Sequence, residues 1–377
     1  MLKHLKTACL LLALLTLVAC SGKKEVVMPL QEFTPVFPVQ EIWSTQTGKG
    51  VKKEYLKLSP ALVGNQIYTS SYSGRVTAID ASTGRVIWQV NTKQNLTTGV
   101  SVDGGAVYVG TEKGQVLALS RSNGAKLWST LLSNEILANP NAQSPYVLVK
   151  SIDDHLYALN KQTGQPVWNY KEETPSLILR GGQSPKVAGN LVVVGFANGQ
   201  VGVFSIANGE MLWKHAVAEA SGLSIVDQMV DINDTLAVAG NTIYVATYQG
   251  NLSALGLRSG ELLWQHDISS YAGLAIDDRN VYVTDASSKV WAFSRRSGQV
   301  VWEQDKLMGR GVTGPQVMGN AVVVADSKGY VHWLSADNGS FVARTLADKS
   351  GVLDTPYVQG NSVFVYTNNG KLIKYRI

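Results

Sequence analysis

Ala78-Ile-Asp-Ala-Ser-Thr-Gly84-Arg-Val-Ile-Trp88 decides the fold, because the chain keeps repeating it. The stretch returns as ALSRSNGAKLW ending at Trp128, ALNKQTGQPVW at Trp168, VFSIANGEMLW at Trp213, ALGLRSGELLW at Trp264 and AFSRRSGQVVW at Trp302. A seventh copy, WLSADNGSFVA, puts Ala343 in the tryptophan slot. Upstream of each copy stands a run rich in β-branched and aromatic residues. The separation from run to slot never changes: Ile67 to Trp88, Val107 to Trp128, Val147 to Trp168, Val192 to Trp213, Ile243 to Trp264, Val281 to Trp302 and Val322 to Ala343. An eighth run, VFVYTNNG, begins at Val363.

Each unit parses as four short antiparallel strands. In the first, strand A is Pro60-Ala-Leu-Val, B the Ile-Tyr-Thr piece, C the Val-Thr-Ala-Ile piece, and D carries the tryptophan. Short alternating runs bounded by Gly, Asn, Asp and Ser are hairpin signals. Glycine stands four before the slot in all seven units, where the C–D turn needs a positive φ. Four-stranded units recurring every ~40–50 residues make a β-propeller, a ring with only short, protected edges. A β-helix has shorter repeats and lacks this turn spacing. The last unit runs out at Ile377 after its third strand, and the unmatched piece is Glu41-Ile42-Trp43 at the other end. The fold expected is therefore an all-β, eight-bladed propeller over residues 41–377, closed by an N-terminal strand that completes the last blade. The slot tryptophans read as structural, each packing across a blade–blade interface against its neighbour's backbone.

Composition agrees. The chain has 377 residues, 45% hydrophobic and only 16% charged, which argues against disorder or a coiled coil. Net charge is +5, and without Lys3 and Lys6 the balance is 31 basic against 28 acidic. That is no nucleic-acid footprint, which needs clustered Lys and Arg on one face. The two cysteines, Cys9 and Cys20, both lie at the extreme N-terminus, which excludes a disulfide scaffold and a cysteine-nucleophile enzyme.

Residues 1–19 read as an address. Two lysines and a histidine precede the apolar run Ala8 to Val18, a secretory signal too short to span a bilayer. Leu17-Val18-Ala19-Cys20 resembles the bacterial lipobox. The resemblance implies cleavage before Cys20 and triacylation of that residue, which anchors stably. Ser21 in place of aspartate implies sorting to the outer membrane, with the body facing the periplasm. Residues 20–40, with three prolines and no periodicity, are expected to be a flexible tether. Eighteen such residues span at most ~60 Å.

Length varies almost only in the D-to-A linkers. From slot to next B run, five are much alike: Trp88 to Val107, Trp128 to Val147, Trp264 to Val281, Trp302 to Val322 and Ala343 to Val363. Two are longer, Trp168 to Val192 and Trp213 to Ile243. They follow consecutive blades and must crowd one sector of one face. Long loops on a rigid scaffold are where binding usually lives. The first holds Leu177-Ile178-Leu179-Arg180, apolar anchors beside an arginine, and the second the acidic, semi-apolar stretch Val226 to Asp234. That is the anatomy of a protein–protein hot spot.

The A-x-D-x-x-x-G-x-x-x-W repeat is similar to that of the quinoprotein dehydrogenases, and with the lipobox and proline-containing tether it resembles the BamB family of outer-membrane assembly lipoproteins. The resemblance implies a non-catalytic scaffold without a cofactor. It would dock on BamA through that protein's periplasmic POTRA domains and assist unfolded outer-membrane proteins. It carries the L-x-L-R contact onto Leu177, Leu179 and Arg180, and an acidic D-x-D contact onto Asp231, with Asn233 standing at the second acid position and Asp234 beside it. The rival reading is a periplasmic PQQ-dependent dehydrogenase or a solute-binding propeller. Against it, those enzymes resemble one another in an adjacent-cysteine disulfide that this chain lacks, and Asp153-Asp154 and Asp277-Asp278 are adjacent residues, expected to point to opposite faces of a strand or to sit in turns. Asp231-Ile-Asn-Asp234 lacks the central glycine and terminal glutamate of a calcium loop. Gly309-Arg-Gly311-Val-Thr-Gly314 matches a dinucleotide motif but is followed by Pro315 and a strand rather than a helix. His215 and His266 share a slot two past the tryptophan on neighbouring rim strands, read as solvated rather than metal-binding.

Overall fold

The computed structural model describes residues 27–377 apart from Lys52, Lys53 and Asp234. Among the described residues, strands assemble into eight four-stranded antiparallel sheets, each one blade of a propeller. Blade one is Ala61–Val63, Gln66–Ser70, Arg75–Asp80 and Val86–Asn91, and six blades repeat this order along the chain. Blade eight takes Tyr357–Gln359, Ser362–Tyr366 and Lys371–Arg376 from the C-terminus, and its fourth strand, Gln40–Gln46, from the N-terminus. Trp43 sits opposite Lys374, so the two ends of the chain clasp the ring as expected.

Burial follows from the architecture. Strands B and C lie between both neighbouring blades, so they are buried on both faces and read as nearly continuous apolar runs, as in Ala106–Gly110 and Leu191–Gly195. Strand D forms the outer rim, and in Val86–Asn91 its positions are exposed or half-buried. The core is thus a set of seams between blades. One such seam joins Val193, Val201 and Val203 of blade four to Ile243, Val245 and Leu255 of blade five.

The tryptophans and the turn glycines turn out to be one device. Trp43 Nε1 donates to the Ala81 carbonyl at 3.1 Å, Trp88 to Arg121 at 2.9 Å, Trp128 to Lys161 at 3.0 Å, and Trp302 to Ala336 at 2.9 Å. Each acceptor lies three residues before the next blade's C–D glycine. The seven glycines hold φ between 70° and 74°, and a methyl on Gly84 would come within 2.7 Å of the Trp43 ring. Glycine is required twice over, for its turn and for the indole stacked on it. In blades one to seven the C–D pairing also carries a register shift beside the slot. Ala78 faces Trp88 but Ile79 faces Val86, so Ile87 is extra. Such a bulge twists the rim strand and re-aims a side chain, here the indole, toward the neighbour. Ala343 breaks the pattern because its neighbour is blade eight, whose strands C and D come from opposite chain ends and have no C–D turn to stack on.

The tether behaves differently from the expectation. Residues 28–39 form no regular strand, yet they lie against blade seven. Met28 N–H donates to the Met308 carbonyl at 3.0 Å and Val36 N–H to the Val342 carbonyl at 2.8 Å. The Phe33 ring stacks on Phe341 at 5.5 Å, and Phe37 and Val39 pack on the seam between blades seven and eight. The aromatic and branched residues of this segment bury apolar surface that a solvated linker would expose.

Candidate functional site

The two long linkers, 172–185 and 217–235, meet on the face where all D–A linkers emerge. Leu179 N–H donates to Asp231 Oδ1 at 2.9 Å, and Gly181 lies directly against the Asn233 amide, with no room there for a side chain. Behind them, Gly182 packs on Ala138 of the linker between blades two and three. Val230 and Ile232 are buried and root the second loop in the body. Three consecutive linkers form one platform.

Arg180 is held by that platform. Its Nη1 and Nη2 donate to the two oxygens of Glu135, each at 2.9 Å, in a two-pronged pair. The Arg180 side chain stays 42% exposed and Glu135 only 12%, so the guanidinium presents its outer edge to solvent. Leu177 is 40% exposed, whereas Ile178 and Leu179 are half-buried. Beside Arg180 lies a small solvent-open cleft lined by Tyr55, Leu137, Asn139, Gly182 and Tyr271. Lys57 Nζ reaches across from the linker between blades eight and one to the carbonyls of Tyr271 and Ala272, at 3.2 and 2.9 Å.

Asp231 and Asn233, expected as outward contacts, are instead 4% and 8% exposed. Asp231 faces inward because the Leu179 amide needs an acceptor. Among the described residues its second oxygen has no hydrogen-bond partner. Burial pushes its pKa up to about 6 against the pull of that amide, with nearby Asp154 adding to the rise. Asp154 itself is buried, ion-paired to Lys150 at 2.6 Å, and accepts the Ala197 N–H at 3.0 Å. Asp153-Asp154 and Asp277-Asp278 both lie in or beside turns and bends, outside the strands. Cys20 and Asp234 lie outside the described residues.

Other features went unread in the sequence. Glu135 had no signal beyond membership of a linker of ordinary length. The tip of the second loop exposes Leu223 completely, Ile225 at 59% and Val226 at 53%, above a turn tied by Ser224 and Asp227. His332 is fully buried on blade seven, 3.1 Å from Asp326, which also pairs with Arg310 at 2.7 Å. Burial holds the His332 pKa below its usual value, against the pull of Asp326. His215 and His266 are half-buried on rim strands, and among the described residues no three His, Cys, Asp or Glu side chains come together as metal ligands.

A family model described as outer membrane protein assembly factor BamB matches residues 72–304 and 297–377. A protein of that name from Pseudomonas aeruginosa is 44% identical over 375 residues, 99% of each chain. The chain belongs to the BamB family. The BamB of Escherichia coli is 33% identical, over 96% of each chain. The crystal structure of BamB from Moraxella catarrhalis superimposes with a TM-score of 0.83 at 25% identity, covering 90% of this chain and 100% of that one. Quinohemoprotein alcohol dehydrogenase ADHIIG from Pseudomonas putida HK5 shares the fold, with a TM-score of 0.74 at 15% identity, covering 90% of this chain and 76% of that one. A second family model, the β-propeller domain of glucose, ethanol and alcohol dehydrogenases, matches only residues 33–101. The BamB relatives therefore carry the main reading over the dehydrogenase one.

Proposed function

We propose that this chain is a non-catalytic, lipid-anchored scaffold of the outer-membrane protein assembly machinery, tethered through Cys20 and facing the periplasm. It docks on the POTRA domains of BamA through the platform of linkers. Leu177 and Leu179 supply apolar contact and Arg180 meets a partner carboxylate with the donors that Glu135 leaves unused. Asp231 and Asn233 act from beneath, setting the height and angle of the 172–185 loop. The observation that carries this reading is the Leu179–Asp231 hydrogen bond, 52 residues apart in sequence, which makes two exposed long linkers into one rigid surface. Rigid loops lose little entropy on binding, so apolar anchors there convert into affinity.

Unfolded outer-membrane proteins pass along the ring by adding to the rim strands, whose outer edges in blades one to six pair with no fifth strand among the described residues. Co-purification of BamA with Leu179→Ala and Arg180→Ala chains from detergent-solubilised membranes tests the docking half of this reading. Mass spectrometry of Cys20 tests the anchor.

A further inference from the structure

We propose that the sector of the linker face over blades seven and eight is turned to the phosphate headgroups of the membrane, and that residues 28–39 are a strap holding it there. The inference rests on the anchoring of Cys20 put forward above.

The strap crosses the rim of blade seven from one face of the ring to the other. At Gln40 it enters the closing strand on the C–D face, and at Met28 it reaches the linker between blades six and seven on the D–A face. Between these points it is gripped by two arginines. Arg310 donates to the Met28 carbonyl at 3.2 Å and Arg344 to the Gln31 carbonyl at 2.9 Å. The Arg344 guanidinium sits beside the stacked Phe33–Phe341 pair, 4.8 Å from the Phe33 ring and 5.1 Å from the Phe341 ring. Both arginines are positioned from below. Arg310 pairs with buried Asp326, and Arg344 Nε donates to Nδ1 of buried His332 at 3.3 Å. A loose tether would need none of this.

The strap moves the point from which the chain reaches the membrane. Only the stretch from Cys20 to Met28 remains to span the gap, at most ~28 Å fully extended. The linker face over blades seven and eight, next to that point, is thereby kept near the bilayer. Charge on that face matches. Lys328, in the B–C turn of blade seven, Lys349, in the linker to blade eight, and Lys49, after the closing strand, are all exposed there, against Asp348 beside Lys349 and the Asp305–Lys306 pair in the linker before blade seven. On the opposite arc of the same face Glu173, Glu219 and Asp227 are exposed, while Glu135 and Asp153 are ion-paired to Arg180 and Lys171. Basic side chains are drawn to an anionic headgroup layer within a Debye length and acidic ones are repelled.

The geometry also separates two tasks. The strap leaves the body two to three blades round the ring from the docking platform, so anchor and partner do not compete for one sector.

The test uses the full lipidated chain in phosphatidylethanolamine–phosphatidylglycerol vesicles doped with a headgroup quencher. A fluorophore is placed on Lys328→Cys or, across the ring, on Lys113→Cys; Cys20 is acylated, so the label is unique. The expected result is quenching several-fold stronger at position 328. Phe33→Ala, alone or with Arg344→Ala, should bring the two sites toward equal quenching while the protein still floats with the vesicles. Phe33→Ala leaves the buried Asp326 network intact, so a folding defect does not confuse the reading. Equal quenching in the chain with its native strap, or a ratio unchanged by the strap substitutions, would overturn the proposal. A chain that fails to float would overturn the anchoring instead.

Discussion

Arg180 and Glu135 lie in different linkers, 45 residues apart, yet their side chains meet in parallel with both N···O distances at 2.9 Å. The pair is partly exposed, and such pairs contribute only ~0–1 kcal/mol to stability. Its consequence is positional: a long, rotamer-rich side chain is held with its free donors pointing outward. Immobilising such a side chain before binding saves ~0.5–1.5 kcal/mol at the moment of association.

Glu135→Ala should therefore leave the melting temperature almost unchanged and weaken BamA binding about fivefold, the equivalent of ~1 kcal/mol. Arg180→Ala should cost more, ~2 kcal/mol or about thirtyfold, if the guanidinium is a hot spot. Arg180→Lys should restore little, because an ammonium cannot reproduce a planar fork that serves two carboxylates at once. Surface plasmon resonance on immobilised POTRA domains would rank the three; a Glu135→Ala chain binding like the wild type would show that the pair does not preorganise the site.

Asp231 gives a pH signature with a definite sign. Its folded pKa of about 6 lies above the unfolded value of 3.8, so between these limits the native state holds the extra proton. Stability contributed by the protonated form is fully present below the unfolded value and is lost as pH rises through the folded one. Asp231→Asn keeps an acceptor for the Leu179 amide and removes the buried charge. It should raise the melting temperature at pH 7.5 and flatten the slope between pH 4 and 6.5. An Asn variant less stable than wild type at pH 7.5 would contradict this account.

Much of the molecule could be read from the chain. Blade number, strand order, the ring closure at Trp43 and the sector bearing the long loops all follow from spacing, because a repeat fixes geometry many times over. What escaped was whatever occurs once. Glu135 lies in a linker of ordinary length, and its meaning appears only when blade three brings it against Arg180. Asp231 and Asn233 carry the polarity of exposed loop residues, but a long linker must satisfy its own backbone, and the Leu179 amide turns Asp231 inward. The prolines of residues 28–39 signal irregular chain correctly; they say nothing of Phe33 finding Phe341 and Arg344, a contact between opposite ends of the chain. The bulge at Ile87 is invisible for a different reason: it alters register by one residue without altering composition.

The exception at Ala343 makes a prediction that runs against the repeat. Restoring the consensus with Ala343→Trp should destabilise, since Ala343 is 1% exposed among Trp333, Val363 and Tyr375, and no C–D glycine turn awaits the indole. Overpacking a core of this kind costs ~1–3 kcal/mol. Thermal melts decide it, and a more stable Ala343→Trp chain would mean that blade eight can accept a neighbour-stacked indole.

Ring closure can be tested by cutting at either side of the strap. Removing residues 40–46 strips blade eight of its outer strand and of Trp43, whose loss alone should cost ~3–5 kcal/mol. Removing residues 21–26 leaves the described strands and the strap contacts of residues 28–39 in place. The first truncation should melt far below the second, and equal melting temperatures would show that the N-terminal strand does not clasp the ring.

Docking through the linker platform is the central claim, and one measurement reaches it most directly: the amount of BamA co-purified from detergent-solubilised membranes by wild-type, Leu177→Ala/Leu179→Ala, and His215→Ala chains. Leu177 and Leu179 are exposed or half-buried, so their truncation should leave folding intact while BamA is lost from the eluate. His215→Ala, on the rim of blade four, should retain it in full. BamA recovered at wild-type levels with the double leucine variant, correctly folded by its melting curve, would contradict the account and place docking elsewhere on the ring.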